Sequence, residues 1–101
     1  EALRKRVEPL AAQLGSDLLI ECDVADGAAI DAAFAALAER WERLDFLVHT
    51  IGFSDKNELR GKFVDTSIDN SLTTMNISAY SLVAVTRRAR AMMDAGGSIL
   101  T

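Results

Sequence analysis

Three side chains, each the single example of its type, have reactive chemistry worth placing: His49, Cys22 and Tyr80. Imidazole titrates near neutral pH and could move a proton, but His49 lies within the apolar run Leu47-Val48-His49-Thr50-Ile51. That setting fits a structural or cofactor-edge residue better than a general base, which must reach the proton it transfers. One Cys and one His make no zinc ligand set, and a lone Cys22 forms no internal disulfide. No metal site is therefore assigned, and His49 is given no catalytic role. The more informative chemistry sits where apolar segments end: Glu21-Cys22-Asp23-Val24, and Leu47-Val48-His49-Thr50-Ile51-Gly52-Phe53 with its polar continuation to Gly61. In open α/β sheets ligands bind beyond the carboxyl ends of strands, so the two edges point to one nucleotide site.

The elements that must position these edges are legible from periodicity. Leu3, Val7, Leu10 and Leu14 recur at helical spacing, with Pro9 marking a kink or a late start and Gly15 a C′ residue. Residues 18–24 read as a strand. Asp26 then caps a helix whose inner face is Ile30, Ala33, Phe34, Leu37 and Trp41. Residues 45–51 form a strand apolar on both faces, as parallel strands between helices are. Residues 52–65 form a long loop, a common place for function. Thr66 or Ser67 caps a long helix over 67–93, with Asp69 or Asn70 three residues on as a partial capping box. Met75, Met92 and Met93 read as core filler in that helix. Gly96-Gly97 ends it before a final apolar strand at Ile99-Leu100-Thr101. Alternation of helices and strands implies βαβ crossovers and a parallel sheet.

Half of the 101 residues are apolar, which suits one globular domain, and no apolar run approaches the ~20 residues of a membrane helix. The cytoplasm is the expected compartment. The formal charge of −4, with Lys and Arg dispersed, offers no basic stripe, so neither nucleic acid nor membrane is an expected partner. The chain starts on Glu rather than Met and stops in an apolar strand, and is expected to be a middle piece of a longer protein.

Cys22-Asp23-Val24, Trp41-Glu42-Arg43-Leu44-Asp45, His49-Thr50-Ile51-Gly52-Phe53 and Asn57-Glu58-Leu59-Arg60-Gly61 closely resemble the NADH-dependent enoyl-acyl-carrier-protein reductases of bacterial fatty-acid synthesis. These are divergent members of the short-chain dehydrogenase/reductase superfamily, and the resemblance spans essentially the whole chain. The usual superfamily edge is Asn-Ala-Gly; Thr50-Ile51-Gly52-Phe53 in its place favours the enoyl reductases.

The resemblance implies a partial Rossmann-type doubly wound parallel sheet. Its strands match the third, fourth and fifth, the third being parted from the fourth by two strands the chain lacks. It implies that residues 1–101 are the middle of a single NAD-binding domain, and that the cofactor is NADH. Asp23 would accept a hydrogen bond from the adenine amino group, with Val24 beside the ring. Thr50 and Ile51 would line the cofactor, and Ile77 would pack near the nicotinamide. Gly52 would admit ribose and nicotinamide close to the backbone, having no Cβ. Phe53, Ser54 and Leu59 would border the acyl substrate, and apolar Phe53 and Leu59 suit that wall.

Residue chemistry alone leaves other readings open. Asp23 could merely begin a capping turn, Gly52 could be a turn glycine, Phe53 could close the core, and Val24 and Ile77 could be ordinary core. By the same resemblance, the proton-donating tyrosine, the lysine that fixes the cofactor ribose and the glycine-rich phosphate turn lie outside this chain. Tyr80 does not match the catalytic tyrosine, and Gly96-Gly97 follows a helix instead of opening one. The chain alone is expected to be inactive. The whole protein is expected to reduce trans-2-enoyl thioesters on acyl-carrier protein as a homotetramer, with the surface of residues 79–93 as a candidate interface. The alternatives are a related dehydrogenase acting on a ketone, and a non-catalytic nucleotide-binding or interaction module.

Overall fold

The helical spacing from Leu3 onward produces α1, Ala2–Gln13, in a computed structural model that describes residues 2–101. The helix continues through Pro9, whose ring nitrogen cannot donate to the Lys5 carbonyl one turn back. It closes in a Schellman turn: Gly15 takes φ 71°, its N–H bonds the Ala12 carbonyl at 3.0 Å, and the Ser16 N–H bonds the Ala11 carbonyl at 2.9 Å.

Residues 18–24, expected as a strand, form no ladder among the described residues. Ladders need a neighbour, and the strands that neighbour the third in a doubly wound sheet are not among those described.

Asp26 caps α2, Gly27–Ala38, its Oδ1 accepting the Ala28 N–H at 2.9 Å. Ile30 and Ala33 are buried, and Phe34 and Leu37 half-buried. Trp41 departs from the expected inner face and is 47% exposed, because the helix stops at Ala38 before its stripe reaches Trp41.

Two strands, β1 (Phe46–Val48) and β2 (Ser98–Leu100), pair in parallel with Leu47 opposite Ile99. The His49 N–H to the Leu100 carbonyl, 2.8 Å, carries the pairing one residue past β1. Between them runs the long helical segment, and it is not one regular helix. Ser67 caps α3 (Ile68–Met75), a π-helical turn follows over Asn76–Tyr80, and α4 (Ser81–Ala89) ends in a 3-10 turn at Arg90–Met92. Gly97 is forced by crowding: a Cβ there would strike Met93 Cε and lie 2.7 Å from the Asp45 carbonyl oxygen.

The core lies between α2 and α4, where Ile30, Ala33, Ala84 and Ala89 are buried. Arg88 clamps the pair, bonding Asp31 at 2.7 Å and the Ala84 carbonyl at 3.1 Å. The radius of gyration, 15.8 Å, exceeds the about 13 Å of a compact domain this long. Large apolar side chains such as Leu14, Phe63 and Val64 are accordingly exposed. No helix among the described residues is long and apolar enough to cross a membrane. The architecture is the expected partial α/β Rossmann type: helices around a small parallel sheet.

Candidate functional site

Residues 50–53 leave the carboxyl end of β1 and are exposed, placing the Thr50-Ile51-Gly52-Phe53 edge at the rim that open α/β sheets use for ligands. The π-helical turn faces this rim. The Ser78 hydroxyl accepts the Phe53 N–H at 3.0 Å and donates to the Phe53 carbonyl at 3.2 Å. Gly52 does not take a positive φ, so turn geometry does not require glycine there. A Cβ at Gly52 would find Ser78 Oγ at 4.0 Å and nothing nearer among the described residues. Ile77, on the same turn, is half-buried, and Phe53 is 51% exposed and does not close a core.

Below the rim, His49 is buried and bonded on both sides. Its Nε2 lies 2.7 Å from Ser81 Oγ and its Nδ1 3.1 Å from Thr101 Oγ1. The single Ser81 hydroxyl proton goes to the Ile77 carbonyl at 2.6 Å, so Nε2 is the donor to Ser81. His49 thus ties the two strand ends to the helix.

The loop over residues 54–66 is held by polar groups in roles the sequence reading did not assign to them. Buried Asn70 accepts the Asp55 N–H at 2.9 Å through Oδ1 and donates from Nδ2 to Ser54 Oγ at 3.2 Å. Thr74 adds a bond to Ser54 Oγ at 3.1 Å. Of the two expected caps, Ser67 serves, accepting the Asn70 N–H at 3.1 Å. The return half of the capping box comes from a distant residue: Glu58 accepts both the Ser67 N–H, 2.8 Å, and its hydroxyl, 2.7 Å. A visible signal existed, since Asn70, Thr74, Ser78 and Ser81 are polar residues at helical spacing along one face.

Ser54 and Leu59 line a cleft of about 440 Å³ between this loop and α3, with Phe63, Asn70, Thr74 and Met75. Phe53 stands outside that cleft, on the rim above it.

The other edge is more open. Asp23 Oδ1 accepts the Ala25 N–H at 2.9 Å, and the Asp26 N–H bonds the Asp23 carbonyl at 3.0 Å. Asp23 thus shapes the turn into α2 while Asp26 does the capping, and its exposed carboxylate still faces solvent. Val24 is half-buried. Cys22 is exposed, and partial desolvation, then the carboxylates of Asp23 and Asp26, push its thiol up, away from the thiolate a nucleophile needs. No group of three or more potential metal ligands occurs among the described residues.

The chain resembles known proteins along its whole length. The family model described as Enoyl-(Acyl carrier protein) reductase matches residues 1–101. The chain is 57% identical over 101 residues to enoyl-[acyl-carrier-protein] reductase [NADH] 1 of Rhizobium meliloti, covering 100% of the chain and 37% of that protein. Against the Escherichia coli enzyme of that name it is 41% identical, with 100% and 39% covered. Among solved structures, the Anaplasma phagocytophilum reductase in complex with NAD superposes with a TM-score of 0.90 at 52% identity, over 98% of this chain and 38% of that one. The Aquifex aeolicus NADH enzyme gives 0.92 at 39% identity, over 97% and 39%. The chain therefore spans under two-fifths of the length of these relatives. It belongs to the enoyl-(acyl carrier protein) reductase family.

Proposed function

We propose that this chain is the middle of the NAD-binding Rossmann domain of an NADH-dependent enoyl-acyl-carrier-protein reductase, reducing trans-2-enoyl thioesters in fatty-acid synthesis. The observation that carries the proposal is Gly52: it sits on an exposed strand-end rim, needs no positive φ, and meets nothing closer than 4.0 Å where its Cβ would be. The space it leaves open suits a flat ring lying on the backbone. In this reading Thr50, Ile51, Gly52 and Ile77 hold the nicotinamide half of NADH, while Asp23 and Val24 receive the adenine. Phe53, Ser54 and Leu59 border the acyl chain, Phe53 at the rim and the other two in the cleft beneath.

Bound there, reduced nicotinamide supplies a hydride to the enoyl β-carbon. This chain's own residues do positioning work. Asp23 offers a carboxylate acceptor to an amino group, worth more than a neutral bond because the acceptor is charged. The 50–52 backbone sets the ring's distance, and Phe53 and Leu59 keep water from the acyl chain. The residues that donate the proton to the enolate lie elsewhere in the protein, so the chain alone is inactive. The same reading places the whole protein in the cytoplasm as a homotetramer, where exposed Tyr80 and Val83 on the 79–93 surface are covered by a second copy.

The test is an assay of the full-length protein with crotonyl thioester and NADH. Oxidation of NADH with the enoyl substrate is expected. Turnover with ketones and none with enoyl thioesters would overturn the reading, and so would a strict monomer for its quaternary part.

A further inference from the structure

In a regular α-helix the Ser81 N–H would bond the Ile77 carbonyl; here it bonds the Asn76 carbonyl, five residues back. The freed Ile77 carbonyl takes the Ser81 hydroxyl at 2.6 Å, which leaves Ser81 oxygen to accept from His49. The extra residue also turns the preceding part of the helix by about 100° relative to α4. Ser78 thereby meets Phe53 while Ser81 meets His49. Ser78 in the π-helical turn and Ser81, the first residue of α4, grip the strand end on either side of residues 50–52.

From this geometry we infer that Ser78 is a positioning residue for the reductase reaction, fixing the Gly52-Phe53 backbone so that the acyl-side wall and the nicotinamide rim keep their spacing. The inference rests on the function proposed above and adds to it a residue that acts through the Phe53 backbone. The hydroxyl suits the task because it accepts and donates at once, holding both the N–H and the carbonyl of Phe53. Phe53 is half exposed and its backbone is gripped from no other element among the described residues, so the bridge sets its place. π-helical turns occur often at functional sites, and this one has an identifiable task.

The experiment is steady-state kinetics of full-length Ser78→Ala and Ser78→Thr, with amide hydrogen exchange. Ser78→Ala is expected to raise KM for the enoyl thioester about tenfold, the factor that corresponds to about 1.4 kcal/mol, with kcat within about twofold and the melting temperature unchanged. Ser78→Thr keeps the hydroxyl and restores KM. Exchange at the Phe53 amide rises about tenfold in Ser78→Ala while the His49 amide keeps its protection. An unchanged KM in Ser78→Ala, or a folded Ser78→Thr that fails to restore it, would overturn the inference. Should the unaltered protein show no enoyl reduction, the proposed function fails instead. Phe53 exchange and NADH affinity of Ser78→Ala then judge the grip on their own, and no change in either overturns it.

Discussion

Two regions of the molecule are built on different terms. At the corner formed by β1, the 52–66 loop, α3 and the π-helical turn, distant polar groups pair: His49 with Ser81, Phe53 with Ser78, Asp55 with Asn70, Ser67 with Glu58. In the arm made of α1 and residues 16–23 the bonds among the described residues are local, apart from Asp17 and Arg40 at 3.1 Å. That pair is more than half exposed on both sides, so it contributes at most about 1 kcal/mol. The arm's Leu3, Leu10 and Leu14 stay exposed, while Leu3 and Val7 share an open apolar cleft with Leu19 and Ile20. The corner holds its geometry through its own long-range bonds. The arm has a helix closed at its C-terminus by a Schellman turn, and its placement on the rest rests on little.

The largest effect that sharpens this contrast is expected at Asn70. Asn70→Ala leaves the Asp55 N–H without its partner and should cost about 2 kcal/mol in denaturant unfolding of the full-length protein. Faster amide exchange should spread over residues 54–58 and spare the β1–β2 pairing. A loss below about 0.5 kcal/mol would show that the loop is held by something else.

Gly15→Ala breaks the other side. With φ at 71°, an alanine there costs about 1 kcal/mol, and the effect should stay in the arm. Exchange at Gly15 and Ser16 should rise while loop amides keep their protection. Disturbance of the Asp55 or Phe53 amides would mean that arm and corner are coupled.

The smallest effect concerns pH. The Arg88 hydrogen bond, then its charge, hold the Asp31 carboxyl below its ordinary range, with partial desolvation working against them. A depressed folded pKa adds stability that is present above the unfolded value of about 3.9 and fades as pH falls through the folded one. Asp31→Asn should therefore trail the unaltered protein slightly near neutral pH and match it in strong acid. A gap that widens on acidification would reverse the assignment.

Much of this was legible in the chain because it is written locally. Gly15 closing α1, Asp26 capping α2, Ser67 starting α3 and the Gly96-Gly97 stop each depend on a few neighbouring residues. The alternating elements gave the α/β class, and Ile-Gly-Phe with Asn-Glu-Leu-Arg-Gly gave the family. What escaped depends on partners far along the chain. Glu58 completing the Ser67 cap lies nine residues back, Asn70 reaches the loop fifteen away, and Ser78 reaches Phe53 twenty-five away. The π-helical turn has no periodic signature of its own, because one inserted residue leaves the apolar spacing on each side intact. Residues 18–24 carry strand composition, but a strand is a property of a pair, and sequence alone does not supply the partner.

The most direct test of the account is a crystal structure of the full-length protein with NADH bound. The adenine amino group should lie within hydrogen-bond distance of the Asp23 carboxylate, and the nicotinamide should stack against the 50–52 backbone beside Ile77. NADH bound away from both strand ends would contradict the account.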